Sequence, residues 1–206
     1  SALGLPSGSL DPALPVDVVV NGGCLLTGFT LGEFAGPLTL PEGTYTVSVH
    51  PANTAEPCTG PAVIGPADIP VSVDTNATIL AHLTAEGDLG AGVYPNDISP
   101  TERPDEGRLA VHHTAYAPTV DVVVKRKNKS SNKIEVTDVS NGGYASAELK
   151  NRMWTIGFSP AGGEESVFET DPSRLNPTRV TNAYAIGSLA NGTFEVITNP
   201  LRLRKN

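Results

Sequence analysis

The chain has little of most things that carry chemistry. Only 17% of its 206 residues are charged and 5% are aromatic, with one Trp, one Met and two Cys. No apolar run approaches the ~18 residues that span a membrane as a helix, so no membrane span is expected. No Gly-x-Ser-x-Gly elbow, phosphate loop, Cys-x-x-Cys pair or EF-hand loop occurs. No stretch of about 12 residues carries a helical period. That removes the crossover helices a parallel α/β fold requires. Lysine is absent before Lys125, and this absence divides the chain electrically. Residues 1–104 hold eleven acids and one base, net −10, while residues 105–206 hold eleven acids and thirteen bases, net +2. The halves return the −8 of the whole chain. An acidic total, with no aromatics interleaved in its one basic run, argues against nucleic acid as a partner.

What is present is turn chemistry. Gly (21) and Pro (18) are frequent and show no collagen-like period. Between them lie short alternating or β-branched runs. Strands are expected near 15–20, 24–29, 37–41, 43–50, 68–73, 77–84 and 89–94. A second set is expected near 108–113, 119–127, 132–138, 144–149, 152–159, 166–169, 179–187 and 192–198. Asn21-Gly22-Gly23, Pro41-Glu42-Gly43, Asn141-Gly142-Gly143 and Asn191-Gly192 mark turns. Short strands with turns at this spacing indicate an all-β chain built as β-sandwiches.

The chain also repeats itself. Val16-Asp17-Val18-Val19-Val20 recurs as Val120-Asp121-Val122-Val123-Val124, an offset of 104. The run from Thr44 to Ala52 recurs in pattern from Met153 to Ala161, and Thr84–Leu89 echoes Ser188–Phe194 with a one-residue slip. Collinear matches at near-constant offset read as a tandem duplication. The expected domains are residues 1–94 and 108–206, joined by a Pro-rich, extended linker at 95–107.

Cys24 and Cys58 both lie in the first copy. They are either buried reduced thiols or a disulfide, and the secreted-looking composition favours the disulfide. Ser1-Ala2-Leu3-Gly4 reads as the start of a mature protein after signal cleavage. A secreted, extracellular or cell-surface location is expected on these grounds. Asn76, Asn128 and Asn191 head N-glycosylation triplets.

Arg108 through Val122, with its Val-rich strand, His112, Ala117-Pro118 turn and Val120-Asp121-Val122, resembles the opening of a bacterial and archaeal family, the domain of unknown function 4397. Leu38–Val47 resembles that family's middle hairpin, and Leu189–Thr193 its penultimate turn. The resemblance implies an immunoglobulin-like β-sandwich on a secreted or surface-attached protein, and no established catalytic activity.

One departure bears on function. At offset 104 the leading strand 108–112 falls on Gly4-Leu5-Pro6-Ser7-Gly8, a poor strand. The first copy is therefore expected to lack a proper first strand and to carry an open sheet edge. Two terminal segments could fill such a vacancy in a neighbour. One contains Ser1, Ala2, Leu3 and Leu5; the other is Leu201, Arg202, Leu203, Arg204 and Lys205, which reads as a surplus strand. The alternative is that the N-terminal segment folds back on its own domain and the C-terminus frays.

Other candidates carry less. Asp17 and Asp121 sit in apolar strands of different copies, so they do not form a catalytic pair; they read as structural acids accepting hydrogen bonds from turn amides or from His112. His112 and His113 are adjacent and face opposite ways, and His50 and His82 belong to the other copy, so no metal site is expected. Ca²⁺ near Asp88 or Asp97 has no ligand spacing behind it. Lys125, Arg126, Lys127, Lys129 and Lys133 form the one dense basic run, read as a solvated hairpin tip or a dock for an acidic partner. Tyr45 and Trp154 occupy near-equivalent positions, which points to core packing rather than sugar platforms.

These readings lead to an expected function. The protein is a non-enzymatic extracellular structural or adhesive unit, without cofactor, that assembles head to tail with copies of itself by β-strand addition. The alternative is a monomeric module that binds a glycan or a surface partner.

Overall fold

A computed structural model of the chain describes residues 14–127, 129–163 and 165–205, with the side chains of 129–132 outside the description. Among the described residues there is no helix. The strands in chain order are β1 (Val16–Val20), β2 (Gly23–Phe29), β3 (Gly43–Pro51), β4 (Ile64–Val71), β5 (Ala77–Leu83), β6 (Leu89–Pro95), β7 (Glu106–His113) and β8 (Val120–Arg126). There follow β9 (Lys129–Val139), β10 (Tyr144–Lys150), β11 (Met153–Pro160), β12 (Phe168–Glu169), β13 (Ser173–Arg174), β14 (Arg179–Ile186) and β15 (Glu195–Arg202). The chain forms two compact units: Ser1–His82 with Asp88–Pro95, and Leu83–Gly87 with Asn96–Asn206.

The second unit is a complete two-sheet sandwich. One sheet has the order β10-β7-β14-β15; the other has β12-β11-β8-β9, with β13 also on β11. β7 and β14 run parallel, and the remaining ladders are antiparallel. Period-2 alternation turns one side of each strand inward. Leu109, Val111, Ala183 and Ala185 from the first sheet meet Val120, Val122, Val124, Ile156 and Phe158 from the second in one buried core. Phe158, Phe168 and Phe194 close it with edge-on and tilted ring contacts, centroids 5.0–6.3 Å apart.

The first unit has the same strand order in one sheet, β2-β1-β3-β4, all antiparallel. Against the four strands of the second unit's other sheet it has the pair β5-β6. Among the described residues nothing corresponds to β7 or β10. The strand expected at 37–41 is not formed. Pro37 and Pro41 remove two donors, and among the described residues no strand pairs with the segment. Leu38 and Leu40, which alternate as a strand would, are exposed. Small shifts elsewhere are ordinary: the strand expected at 192–198 forms at Glu195–Arg202, and Ser173–Arg174 is an additional short strand.

Most of 95–107, expected as a joint, belongs to the second unit. The buried Arg108 guanidinium gathers it. Arg108 Nη1 donates to the carbonyls of Asp97 and Ser99, both at 2.8 Å, and Nη2 to Glu148 Oε1 at 2.7 Å. Glu148 Oε2 in turn accepts from the Glu102 amide at 2.8 Å. An Arg buried among acceptors that match its planar fork holds a segment more firmly than Pro stiffness would.

Cys24 and Cys58 are disulfide-bonded, with Cα atoms 5.6 Å apart. The bond closes a loop of 34 residues, which in the chain-entropy account stabilises by about 3–4 kcal/mol. Reduction is expected to lower the unfolding free energy of the first unit by about that much and to leave the second unit unchanged. Denaturant unfolding with and without reductant, followed by hydrogen exchange in each unit, checks this.

Candidate functional site

Each unit is tied together by one buried carboxylate at the same place in its central strand. Asp17 Oδ1 accepts from the Gly28 amide (2.9 Å) and Oδ2 from the Cys58 (2.7 Å) and Asn53 (3.3 Å) amides. Asp121 Oδ1 accepts from the Asp138 amide and Oδ2 from the Gly162 amide, both at 2.9 Å. The donors are comparable in both units: a residue of positive φ late in the neighbouring strand, and an amide of the loop after β3 or β11. Gly28 has φ 62°, Asp138 φ 59° and Gly162 φ 73°, so the carboxylate holds backbone in the left-handed region where side chains are costly. Burial works to raise the pKa of Asp17, but the amides of Cys58, Gly28 and Asn53, then the charge of His50, outweigh it and hold the carboxyl below its usual 3.8. Both acids are structural, with turn amides as partners.

The aromatic pair is also matched. Tyr45 Oη donates to the carbonyl of Pro41 at 3.0 Å, and Trp154 Nε1 to that of Lys150 at 2.9 Å, each four residues back. Their surroundings differ, and that difference runs through the whole first unit. Of the 25 buried apolar side chains among the described residues, Val49 and Tyr94 are the two in the first unit. Of the eleven exposed large apolar ones among the described residues, seven are there: Leu25, Phe34, Leu38, Leu40, Val73, Ile79 and Val93. Val120, Val122 and Val124 are 1–5% exposed. Their counterparts Val16, Val18 and Val20 are half-buried.

The face in question is the one that should be core. Alternation puts Ala77, Ile79 and Ala81 on one side of β5, and Leu89, Ala91 and Val93 on one side of β6. Matching Thr84–Leu89 to Ser188–Phe194 sets Leu89 on Phe194 and Ala91 on Val196, which pack on the second unit's core. Yet Ile79 is 48% and Val93 49% exposed. In the second unit the corresponding strand β14 has β7 along its other edge, from Val180↔Arg108 to Ala185↔His113. Among the described residues β5 pairs with β6 alone. Among the described residues the first unit thus shows fewer strands than the second and leaves apolar side chains of β5 and β6 exposed.

The predicted assembly residues fall in two places. Ser1, Ala2, Leu3 and Leu5 lie outside the described residues. Leu201 and Arg202 are not surplus; they extend β15 and pair with Val180 and Arg179. Leu203 is buried and its amide donates to Thr178 O (2.9 Å), while the Arg204 amide donates to Ile98 O (2.7 Å). The expectation of a free or fraying C-terminal segment is thus corrected: the β14 edge was open and took it. Lys205 follows, exposed.

The basic run lies on the hairpin formed by β8 and β9. Lys125 Nζ lies 2.8 Å from Glu169 Oε1, and Lys133 Nζ 2.7 Å from Glu135 Oε2. Arg126 is paired through its backbone with Lys129, and exposed Lys127 donates its amide to Met153 O. Asn128 lies outside the described residues. Asn191 sits in its turn with its amide on Ser188 Oγ (3.2 Å).

One buried polar cluster escaped sequence reasoning. His112 is stacked between Tyr184 (centroids 4.6 Å, 17° between planes) and Tyr144 (5.3 Å, 25°), its cross-strand neighbours on β14 and β10. Asn182 donates to Asn96 Oδ1 at 3.0 Å. Burial lowers the pKa of His112 to about 4, against the partial opposition of a hydrogen bond with Asn182. The available signal was two polar residues four apart, and so on one face, in an apolar strand: Arg108, then His112.

The chain matches the family model described as Domain of unknown function (DUF4397) over residues 9–123, more than half of its 206 residues, and it belongs to that family. No curated protein matches it.

Two stability predictions follow from the acids and the histidine. Asp17→Asn leaves one amide facing a donor and is expected to cost the first unit about 1–3 kcal/mol. Because the folded pKa is depressed, this contribution is complete above the ordinary 3.8 and is lost as pH falls through the folded value. The variant's stability should therefore fall less on acidification, as read by unfolding midpoints between pH 5 and about 2. For His112 the unfolded side chain takes up a proton near 6.5 and the folded one near 4. The second unit should lose about 3 kcal/mol between those pH values and no more below them. His112→Phe, which keeps a ring between the tyrosines, should flatten that slope.

Proposed function

We propose that this protein carries two copies of the family domain and serves outside the cell as a structural, adhesive subunit that polymerises head to tail. One observation carries the reading: among the described residues the first copy leaves large apolar side chains exposed, Ile79 and Val93 on β5 and β6 among them, where the matching strands of the second copy are largely covered. A segment of another molecule laid against these side chains would bury them. Acceptor and donor surfaces differ, so the contact does not close on itself and builds a fibre. The charge split of −10 against +2 favours head-to-tail over head-to-head contact. The disulfide supports an oxidising, extracellular setting. No catalytic role is proposed for any residue.

A second reading, a monomeric module that binds a glycan or surface partner, has a single observation in its favour. Tyr144 is 59% exposed with its ring held flat against His112, and exposed planar rings suit sugar faces. Mass by light scattering and negative-stain microscopy separate the two. Polymers growing with concentration are expected; a particle that stays at the 21.4 kDa of one chain at every concentration overturns the first reading.

A further inference from the structure

We infer that β10 is a docking edge for β10 of a second copy: two chains pair antiparallel along it, with the two-fold axis at Ala147, into a closed dimer. The contact lies wholly on the second unit and goes beyond the head-to-tail reading, which it does not use.

β10 is the least guarded edge of the second unit. Among the described residues it pairs with β7 alone, in seven consecutive pairs without a register shift. The other sheet edges there carry devices that hinder strand addition. β15 contains Pro200, β12 and β13 are two residues each, and β9 shifts register twice against β8. β10, Tyr144-Ala145-Ser146-Ala147-Glu148-Leu149-Lys150, has no Pro and no Gly. Its inward side chains are Ala145, Ala147 and Leu149, with no charge among them.

The ends of the ladder show which backbone groups face outward. The His113 amide donates to Gly143 O (2.9 Å) and the Asn151 amide to Asp105 O (3.1 Å). The hydrogen-bonded pairs with β7 therefore use the odd residues of β10. The N–H and C=O groups of Tyr144, Ser146, Glu148 and Lys150 point away from β7. Of these, the Lys150 carbonyl accepts from Trp154 Nε1. An antiparallel partner must set even residues opposite even ones. Of the symmetric registers that do so, only the one centred on Ala147 lays all seven residues against all seven.

The side chains fit that register. On the outer face Ser146 meets the second copy's Glu148, and Tyr144 meets the second copy's Lys150. Centring on Glu148 would instead set two carboxylates face to face, which is unfavourable. Glu148 is fixed in place by Arg108 at 2.7 Å. Tyr144 is 59% exposed and stacks on His112 by one face, which leaves the other face to the ammonium. On the inner face Ala145 meets Leu149, and Ala147 meets Ala147. An apolar cavity of about 20 Å³ opens there between β10 and Ile134 and Val136 of β9, and Ile134 is 37% exposed. A strand added to β10 extends the inner layer across that gap.

The test uses the full chain. Both of its cysteines are in the Cys24–Cys58 bond, so an introduced thiol is unambiguous. Ala147→Cys places a thiol on the axis and should give a disulfide between two chains under mild oxidation. Thr137→Cys, on the β9 edge, should not. Ser146→Pro removes an outward N–H and no bond to β7. It should weaken association, read by analytical ultracentrifugation, about 30-fold or more, while the unfolding midpoint of the second unit stays in place. Charge reads the register: Ser146→Glu, facing Glu148, should weaken the dimer about tenfold, and Ser146→Lys should not. If Ser146→Pro leaves association unchanged, or Ala147→Cys gives no cross-link, β10 is not the contact and the inference is wrong. The head-to-tail polymer, which uses the first copy, is untouched by either result. If the unaltered chain stops at a dimer that Ser146→Pro dissociates, the inference stands and the polymer reading fails. A chain that is monomeric at every concentration overturns both.

Discussion

β7 lies parallel to β14 over six residue pairs, and it also carries β10 on its other side. That strand supplies Leu109 and Val111 to the core, orders Arg108 among the carbonyls of 97 and 99, and sets His112 between two tyrosines. Parallel neighbours in a sheet come from distant parts of a chain, so such a strand is not guaranteed by any local hairpin. Where it is present, a sheet of four strands covers the facing sheet completely. Where its counterpart is missing from the described residues, the hairpin β5-β6 covers too little, and valines of the same sequence remain half-exposed. The contrast between the two units therefore traces to one strand rather than to composition spread over each.

The two units solve their turns in the same way. A carboxylate two residues into the central strand accepts amides from a left-handed residue in the next strand and from the loop after the third. A buried acid with all its acceptors engaged is inexpensive, and it pins three chain segments that no hydrophobic contact would orient. The disulfide sits at the same junction in the first unit, since the Cys58 amide is one of the donors to Asp17. A unit with a thin core leans on such staples more heavily than one with a full core. The second unit, with its Phe cluster and its Arg108 network, has no described disulfide.

Much of this was legible beforehand. Alternation and β-branching placed β1, β3, β8 and β11 to within a residue or two, and the repeat paired Asp17 with Asp121 at an offset of 104 and Tyr45 with Trp154 at an offset of 109. Residues 37–41 misled because Leu38 and Leu40 alternate correctly. Alternation reports a preference for a two-faced environment, not the presence of a neighbour to pair with. The C-terminal segment misled in the opposite sense: Leu201 and Leu203 look spare in the sequence, yet they complete the edge of β14. The Arg108 and His112 cluster was not legible, because their partners Ser99, Glu148, Tyr184 and Asn182 lie 9 to 72 residues away.

The sequence by itself determined the all-β class, the turn positions, the doubling of the strand pattern and the charge asymmetry. These follow from backbone propensities and side-chain period, which act over a few residues and need no knowledge of the rest of the chain. Only the tertiary structure decided which faces are covered. A strand's inner surface is apolar whether or not something lies on it, and whether something does depends on pairing between segments a hundred residues apart or in another molecule. For this chain that distinction separates valines buried at 1–5% exposure in one unit from half-buried valines of the same sequence in the other.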